Sequence, residues 1–484
     1  MKSKKIIALV MLLLISSAMS SCIGDATIDI DSIPELTNTS SEVSEEYSEP
    51  DESTQPGYTD RPTCTEIVNI TADRIVVAGK CEDGAVITIT KGKEDVSVQS
   101  VGGYYITEVV LASSGINSLK MTAKVDGKEE SIERVLSATY KATVSERPDD
   151  LSVMVGLNSQ LFLKKTLKDY NGENLLSTTE IAKFKKMVND NYDTIQAKRI
   201  ADIASEMSKT EKKPDGMTDL EFMDYLKEQA AKNYTPIEII YVLVPNAISV
   251  YPENVPAEFV TTTNTTKYKQ IVRALNDDGI NATIIDMSTV LTEHKDDGYE
   301  LFNRTNSNWS DYAAYLAYVE LLNVIDDRYP AAKARPLSDF NVDTKEVWGG
   351  DMAGYLYLNR ELTKDTATIL TPKSFSYSFT TGTFYKSDVD RTLNIDEKDT
   401  KYAIQIRRVI KTGKENMPNV VVYRDSTVTP IYNMLAERFS MTAFHTMDIL
   451  TPRKMDIGLD PAPDYVVVFC SEDNLDLVLN SSMN

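Results

Sequence analysis

Ser426 follows the apolar run Asn419-Val420-Val421-Val422-Tyr423 and precedes a helical pattern. A hydroxyl at the end of a buried strand sits where a nucleophile would. A serine hydroxyl is a weak nucleophile at neutral pH. It needs a base within hydrogen-bond reach, and the base needs a carboxylate to orient it. Upstream lies Thr305-Asn306-Ser307-Asn308-Trp309-Ser310. Residues two apart on an extended segment share a face, so Asp and His at those two positions would supply both groups. The pair here is Asn306 and Asn308. Asn308 has no basic nitrogen to take the serine proton, and Asn306 carries no charge. Losing such partners costs on the order of 10⁴ to 10⁶ in rate. The chain has only two histidines, His294 and His445. His445, after the helix that follows Ser426, is the possible replacement base; His294 lies just before the Asn pair.

The neighbours of these residues have roles of their own. Asp425 is expected to accept backbone N–H groups and shape the turn. Arg424 is a cation beside the serine that could hold the carboxylate of an acidic sugar. Trp309 and Trp348 are the other candidate substrate contacts, Trp309 also packing the loop, and a packing role is open to Trp348 too. The sequence holds no zinc-ligand cluster, no phosphate-cradling Gly loop and no dinucleotide fingerprint, so no metal and no cofactor are expected.

The elements that must position these groups alternate between strand and helix patterns from 150 to 484. Helices are predicted at Thr179–Asp190, Lys198–Met207, Asp219–Lys232, Thr266–Asp278, Ser310–Ile325 and Pro430–Phe439. Strands are predicted at Ile237–Val244, Ala282–Asp286, Asn419–Tyr423 and Asp464–Phe469. Such alternation implies an α/β, doubly wound, mainly parallel sheet, with ligand sites at the carboxyl ends of its strands. Ser310 is a candidate N-cap. Residues 63–145 read differently, as short alternating strands about ten residues apart, the pattern of a small all-β sandwich. That module shows no catalytic constellation and reads as a spacer or ligand-presenting unit. Cys64 and Cys81 lie symmetrically about the turn at Ala72-Asp73. A hairpin there would set them face to face, and a disulfide would stabilise by roughly 3 kcal/mol. Cys470 ends an apolar run and reads as a buried strand residue.

The start of the chain has its own logic. Met1-Lys2-Ser3-Lys4-Lys5 is basic and Ile6 to Ile15 is apolar, too short to span a bilayer and typical of a signal peptide. Ser20-Ser21-Cys22 resembles a bacterial lipoprotein box, with Met19 where Leu is usual. The resemblance implies a leader over 1–21, lipidation of Cys22, and an exported protein lipid-anchored on the outer face of the cell membrane. Residues 22–62 read as a disordered acidic tether: segment 23–62 carries eleven Asp/Glu and one Arg, too little apolar surface for a core. A net charge of −22 excludes nucleic acid as a partner and disfavours anionic headgroups.

Several blocks, in order, resemble the SGNH-hydrolase-like proteins of the alginate O-acetylation type, the DHHW family. They are Val155-Gly156-Leu157-Asn158 through Leu163, Val244-Pro245-Asn246 with Tyr251-Pro252-Glu253-Asn254-Val255-Pro256, the Thr305–Ser310 block, Trp348-Gly349-Gly350-Asp351-Met352-Ala353, Arg424-Asp425-Ser426 and Pro463-Asp464-Tyr465. The family has Asp and His where this chain has Asn306 and Asn308, and Gly where it has Arg424. The 63–145 region similarly resembles bacterial immunoglobulin-like modules. The resemblance implies an SGNH-hydrolase-like domain over 150–484, and in active members a Ser-His-Asp site that moves acetyl groups onto exported polysaccharide. Three readings follow. The domain is a non-catalytic member that binds cell-envelope or secreted polysaccharide or a membrane acyltransferase. Or it is an active O-acetyltransferase or acetylesterase using Ser426 and a rescued base. Or it is a surface adhesin or scaffold.

Overall fold

The computed structural model describes residues 57–111, 115–141, 152–259, 265–377, 380–381, 407–447, 455 and 462–483. The leader, Cys22 and most of the acidic tether lie outside these residues. The chain divides into two compact units. One comprises the residues up to Leu161 with Arg304–Ser307 and Val347–Asp365. The other comprises Phe162–Asn303, Asn308–Glu346 and Thr366–Asn484.

The first unit contains a seven-strand sandwich. Strands β1 (Thr63–Asn69), β2 (Arg74–Lys80) and β5 (Tyr104–Val110) form one antiparallel sheet. Strands β4 (Glu94–Gln99), β3 (Val86–Lys91), β6 (Gly115–Lys124) and β7 (Arg134–Tyr140) form the other, also antiparallel. Alternate residues of each strand point inward. Ile75, Val77, Ile87, Ile89, Tyr105, Leu119 and Met121 from both sheets meet in one core. The fold begins earlier than the expected tether boundary at 62: Thr59 is buried, and its N–H donates to the Glu129 carbonyl at 2.8 Å.

The expected Cys64–Cys81 bridge is corrected. The hairpin forms, but a bulge between Cys64 and Glu66 shifts its register, so Cys64 lies opposite Gly79. Cys64 and Cys81 are not bridged to each other. Burial pushes the Cys81 thiol up to about 11, which suppresses thiolate formation.

The second unit is built on a seven-strand sheet. The labels are β8 (Glu238–Val244), β9 (Thr283–Asp286), β10 (Thr380–Thr381), β11 (Arg407–Lys411), β12 (Asn419–Arg424), β13 (Met441–Thr446) and β14 (Tyr465–Ser471), in the order β9-β8-β14-β12-β13-β11-β10. The five strands from β9 to β13 run parallel, and the β11 and β10 edge is antiparallel. The β-branched runs EIIYVLV, NVVVYR and YVVVFCS suit strands covered on both faces. Their alternation divides the core in two. Ile240, Val242, Val420, Val422, Val467 and Phe469 pack against helix α5 (Asp311–Asp326). Ile239, Tyr241, Val421, Tyr423, Val466 and Val468 pack against α1 (Thr178–Ser208), α3 (Lys267–Leu275) and α8 (Leu475–Met483). Helices on both faces of a mainly parallel sheet make this the expected doubly wound α/β fold.

Two helix predictions change. Thr178–Ser208 is one 31-residue helix, opened by a Ser177/Glu180 capping box. The expected break does not occur, because residues 191–197 contain no Gly or Pro. Gln196 also exchanges hydrogen bonds with the Ile237 backbone there, at 2.8 and 3.1 Å. The predicted 430–439 helix starts as a 3₁₀ segment, Ser426–Ile431, and becomes helix α7 only over Tyr432–Glu437. Among the described residues no helix is long and apolar enough to cross a membrane.

Candidate functional site

In the second unit the site is organised at the carboxyl ends of the central strands. β12 lies between β14 and β13 and is parallel to both. The chain leaves it through Asp425, which caps the 3₁₀ segment carrying Ser426. Asp425 is 4 % exposed. Its Oδ1 accepts the N–H of Thr427 at 3.0 Å and also the Thr427 hydroxyl. Its Oδ2 accepts the Ser471 N–H at 2.8 Å, the Ser471 hydroxyl at 2.7 Å and Asn474 Nδ2 at 3.0 Å. Five donors on one carboxylate tie the end of β12 to the end of β14, so Asp425 shapes the turn.

The structure brings Ser426 and Asn308 together across 118 residues: the Ser426 hydroxyl donates to Asn308 Oδ1 at 3.2 Å. The chain reaches Asn308 through a narrow hairpin. Phe302 and Trp309 form an antiparallel bridge, and Ser310 N–H donates to the Leu301 carbonyl at 2.9 Å. Ser310 then caps α5 by accepting the Ala313 N–H. Trp309 anchors this corner. It is 2 % exposed, packs edge-on against Phe469 at 6.0 Å, and donates Nε1–H to the Thr427 carbonyl at 2.9 Å. This corrects the expectation of Trp309 as a substrate contact: its ring is core, and it locks the Asn308 hairpin to the Ser426 turn.

An amide oxygen accepts a hydrogen bond but does not become protonated at neutral pH. Asn308 therefore gives the Ser426 hydroxyl an acceptor but not a base. Among the described residues, the Ser426 hydroxyl bonds to Asn308 and to neither imidazole. His445 is 1 % exposed in β13, opposite Tyr423, with its ring stacked on the Tyr423 ring at 5.0 Å and 28°. His294 ends helix α4 (Met287–Glu293), where its Nδ1 lies 2.6 Å from Asp297 Oδ2. Tyr312 donates to the same oxygen. Arg424 turns its guanidinium over the Tyr432 ring at 5.4 Å and donates Nη1–H to the Asp425 carbonyl at 3.2 Å.

Sequence reasoning missed Glu472. It follows β14 and is 2 % exposed. Its Oε2 accepts the Asn246 N–H at 2.8 Å and the Ser249 hydroxyl at 3.4 Å, which ties the end of β8 to the end of β14. Burial pushes its carboxyl up to about 7. The available signal was an acid separated only by Ser471 from the apolar run Tyr465–Cys470.

Asn306 belongs to the first unit. Thr305 fixes its backbone: its N–H and hydroxyl both donate to Asp365 Oδ2, at 2.9 and 2.7 Å. Asp365 also holds Arg304 at 2.7 Å in a buried ion pair. Gly350 donates N–H to Thr305 Oγ1 at 2.9 Å. A Cβ on Gly350 would lie 2.4 Å from the Thr305 carbonyl oxygen and 2.6 Å from Asn306 Cα, so only glycine allows this approach. Asp351 accepts the Ser307 N–H at 2.8 Å and its hydroxyl at 2.6 Å. Trp348 is 61 % exposed, against the packing role open to it, with Lys364 Nζ 5.6 Å from its ring centre.

Among the described residues no group of three or more His, Cys, Asp or Glu could hold a metal ion. Curated protein sequences offer no match to this chain. Residues 219–376 match the family model described as an SGNH hydrolase-like domain, acetyltransferase AlgX. The matched segment includes Asn306, Asn308, Trp309 and Trp348; Ser426 lies beyond it. Similar solved structures include a DHHW family protein from Eubacterium siraeum, at 14 % identity and TM-score 0.39, covering 75 % of this chain and 95 % of that one. PatB1 of Bacillus cereus aligns at 15 % identity and TM-score 0.41, covering 68 % and 99 %. The O-acetyltransferase domain of Pseudomonas putida AlgJ aligns at 14 % identity and TM-score 0.37, covering 69 % and 94 %. Over residues 219–376 the chain is therefore similar to the SGNH hydrolase-like domain of the AlgX acetyltransferase type.

Proposed function

We propose that this chain is an exported, lipid-anchored protein whose SGNH-hydrolase-like domain binds cell-envelope or secreted polysaccharide without turning it over. One observation carries the non-catalytic part: the partner of the Ser426 hydroxyl is the amide oxygen of Asn308 at 3.2 Å. A catalytic serine needs an imidazole or another base at that distance. The serine, its turn and its hydrogen-bonded neighbour keep the shape of an acyl-transfer site, and the group that would take the proton is replaced. A domain of the acetyltransferase type favours polysaccharide as the ligand class, and a membrane acyltransferase is the corresponding protein partner.

The export reading rests on the sequence Lys4-Lys5, the apolar run to Ile15, and Ser20-Ser21-Cys22. Replacing Cys22→Ser should move the protein from the membrane fraction to the soluble exported fraction. An unchanged membrane fraction would contradict lipidation at Cys22.

The activity part is tested by acetate release from p-nitrophenyl acetate. The expected result is a rate equal to that of Ser426→Ala. A wild-type rate well above that variant would overturn the non-catalytic reading.

A further inference from the structure

The segment Trp348–Lys364 of the first unit folds as a closed loop. Gly349 N–H donates to the Thr363 carbonyl at 2.7 Å and to the Arg360 carbonyl at 2.9 Å, which joins the two ends. Arg360 Nε returns a bond to the Gly349 carbonyl at 2.6 Å. Glu66, from β1 of the sandwich, clamps the far side. Its two oxygens accept the Asn359 N–H at 2.9 and 3.1 Å, and one of them also accepts the Thr363 hydroxyl at 3.3 Å. Compact loops with touching ends are frequent sites of function.

This rigid loop carries aromatic rings outward. Five aromatic side chains are exposed among the described residues, and three of them, Trp348, Tyr355 and Tyr357, lie here. That clustering is not the scatter of single apolar residues that any surface shows. Tyr357 adds an independent observation. Helix α6 (Asp351–Tyr355) ends in a Schellman turn, with Leu358 N–H on the Ala353 carbonyl at 3.1 Å and Tyr357 N–H on the Gly354 carbonyl at 2.9 Å. The residue after the cap in this motif is left-handed and usually glycine. Here it is Tyr357, at φ 63°. A bulky side chain in that conformation is strained, and such strain concentrates at functional positions. Lys364 over Trp348 supplies a cation within a chain of net charge −22.

We propose that Trp348, Tyr355 and Tyr357 form a stacking platform for the sugar rings of a polysaccharide chain. Sugar rings offer apolar C–H faces to aromatic rings while their hydroxyls stay hydrated, so the platform can remain exposed when empty. Lys364 beside Trp348 suits a neutral or acidic chain and disfavours a basic one. The proposal rests on the polysaccharide reading above and gives it a site separate from Ser426.

The full exported chain is run on native gels containing xylan, carboxymethyl-cellulose or alginate, and retardation is measured against a gel without polymer. Trp348→Ala should weaken binding to the retarding polymer roughly tenfold, the loss of one stacked ring. Its melting temperature should stay near wild type, because the side chain is exposed. Tyr357→Gly should weaken binding similarly while relieving the backbone strain; should that variant fail to fold, Trp348→Ala decides alone. Retardation unchanged in Trp348→Ala overturns the platform and leaves the polysaccharide reading standing. No retardation of the wild-type chain in any of the three gels overturns both. Acetate release that depends on Ser426, with retardation still lost in Trp348→Ala, overturns only the non-catalytic reading.

Discussion

The Ser426 hydroxyl donates to Asn308 Oδ1 at 3.2 Å, and the turn beneath it is fixed by Trp309 Nε1–H on the Thr427 carbonyl at 2.9 Å. An amide therefore stands against the serine where a base would be held. This arrangement makes the chemistry recoverable in principle.

Restoring the base tests that view. Asn308→His puts an imidazole where the amide now meets Ser426, and Asn306→Asp adds a carboxylate two residues earlier. The double variant should release acetate at least about 10²-fold faster than wild type, the lower end of general-base catalysis. The gain should vanish when Ser426→Ala is added. No gain would mean that position 308 does not serve as a base position.

Trp309 should be among the least tolerant residues. Trp309→Ala removes a buried ring and the bond that ties the hairpin to the Thr427 carbonyl. The expected loss is about 3–5 kcal/mol in denaturant unfolding. A loss below about 1 kcal/mol would contradict its role as the anchor of this corner.

Gly350→Ala tests the other loop. Its Cβ would meet the Thr305 carbonyl oxygen at 2.4 Å and Asn306 Cα at 2.6 Å. Backbone atoms cannot swing aside as a flexible side chain can. Overpacking of this kind costs about 1–3 kcal/mol. A melting temperature equal to wild type would contradict so close an approach.

Glu472 predicts a pH dependence. Burial raises its carboxyl from 4.5 to about 7 in the folded chain. Between those values the folded state holds a proton that the unfolded state has released, so stability falls as pH rises. The contribution is complete below about pH 4.5 and lost by about pH 7; the shift amounts to about 3 kcal/mol. Glu472→Gln keeps an acceptor for the Asn246 N–H and removes the titration. Its unfolding free energy should lose this slope, and the variant should exceed wild type at pH 8. A slope unchanged in the variant would assign the titration elsewhere.

Much of this was legible in the residues. Val420-Val421-Val422 and Val466-Val467-Val468 are β-branched runs that only a strand covered on both faces uses well, and Ser310 before Asp311 marks a helix start. What escaped depends on long-range register and packing. The Cys64–Cys81 pairing failed because the hairpin's register, with Val68 opposite Val76, would set Cys64 opposite Lys80, and the bulge after Cys64 moves it on to Gly79. Residues 191–197 look polar, yet Gln196 finds the Ile237 backbone and the helix continues through them. The two tryptophans look alike in sequence. Trp309 is buried because a bridge to Phe302 turns it toward Phe469, while Trp348 emerges on a closed loop. Glu472 could not be read as buried, because its partners Asn246 and Ser249 lie more than 220 residues away.

The central claim is that Ser426 is held but not activated. Acetate release from p-nitrophenyl acetate, compared between wild type and Ser426→Ala at neutral pH, tests it most directly. The account predicts equal rates for the two proteins. A wild-type rate a hundredfold or more above the variant, on the order of what a positioned base supplies, would contradict it.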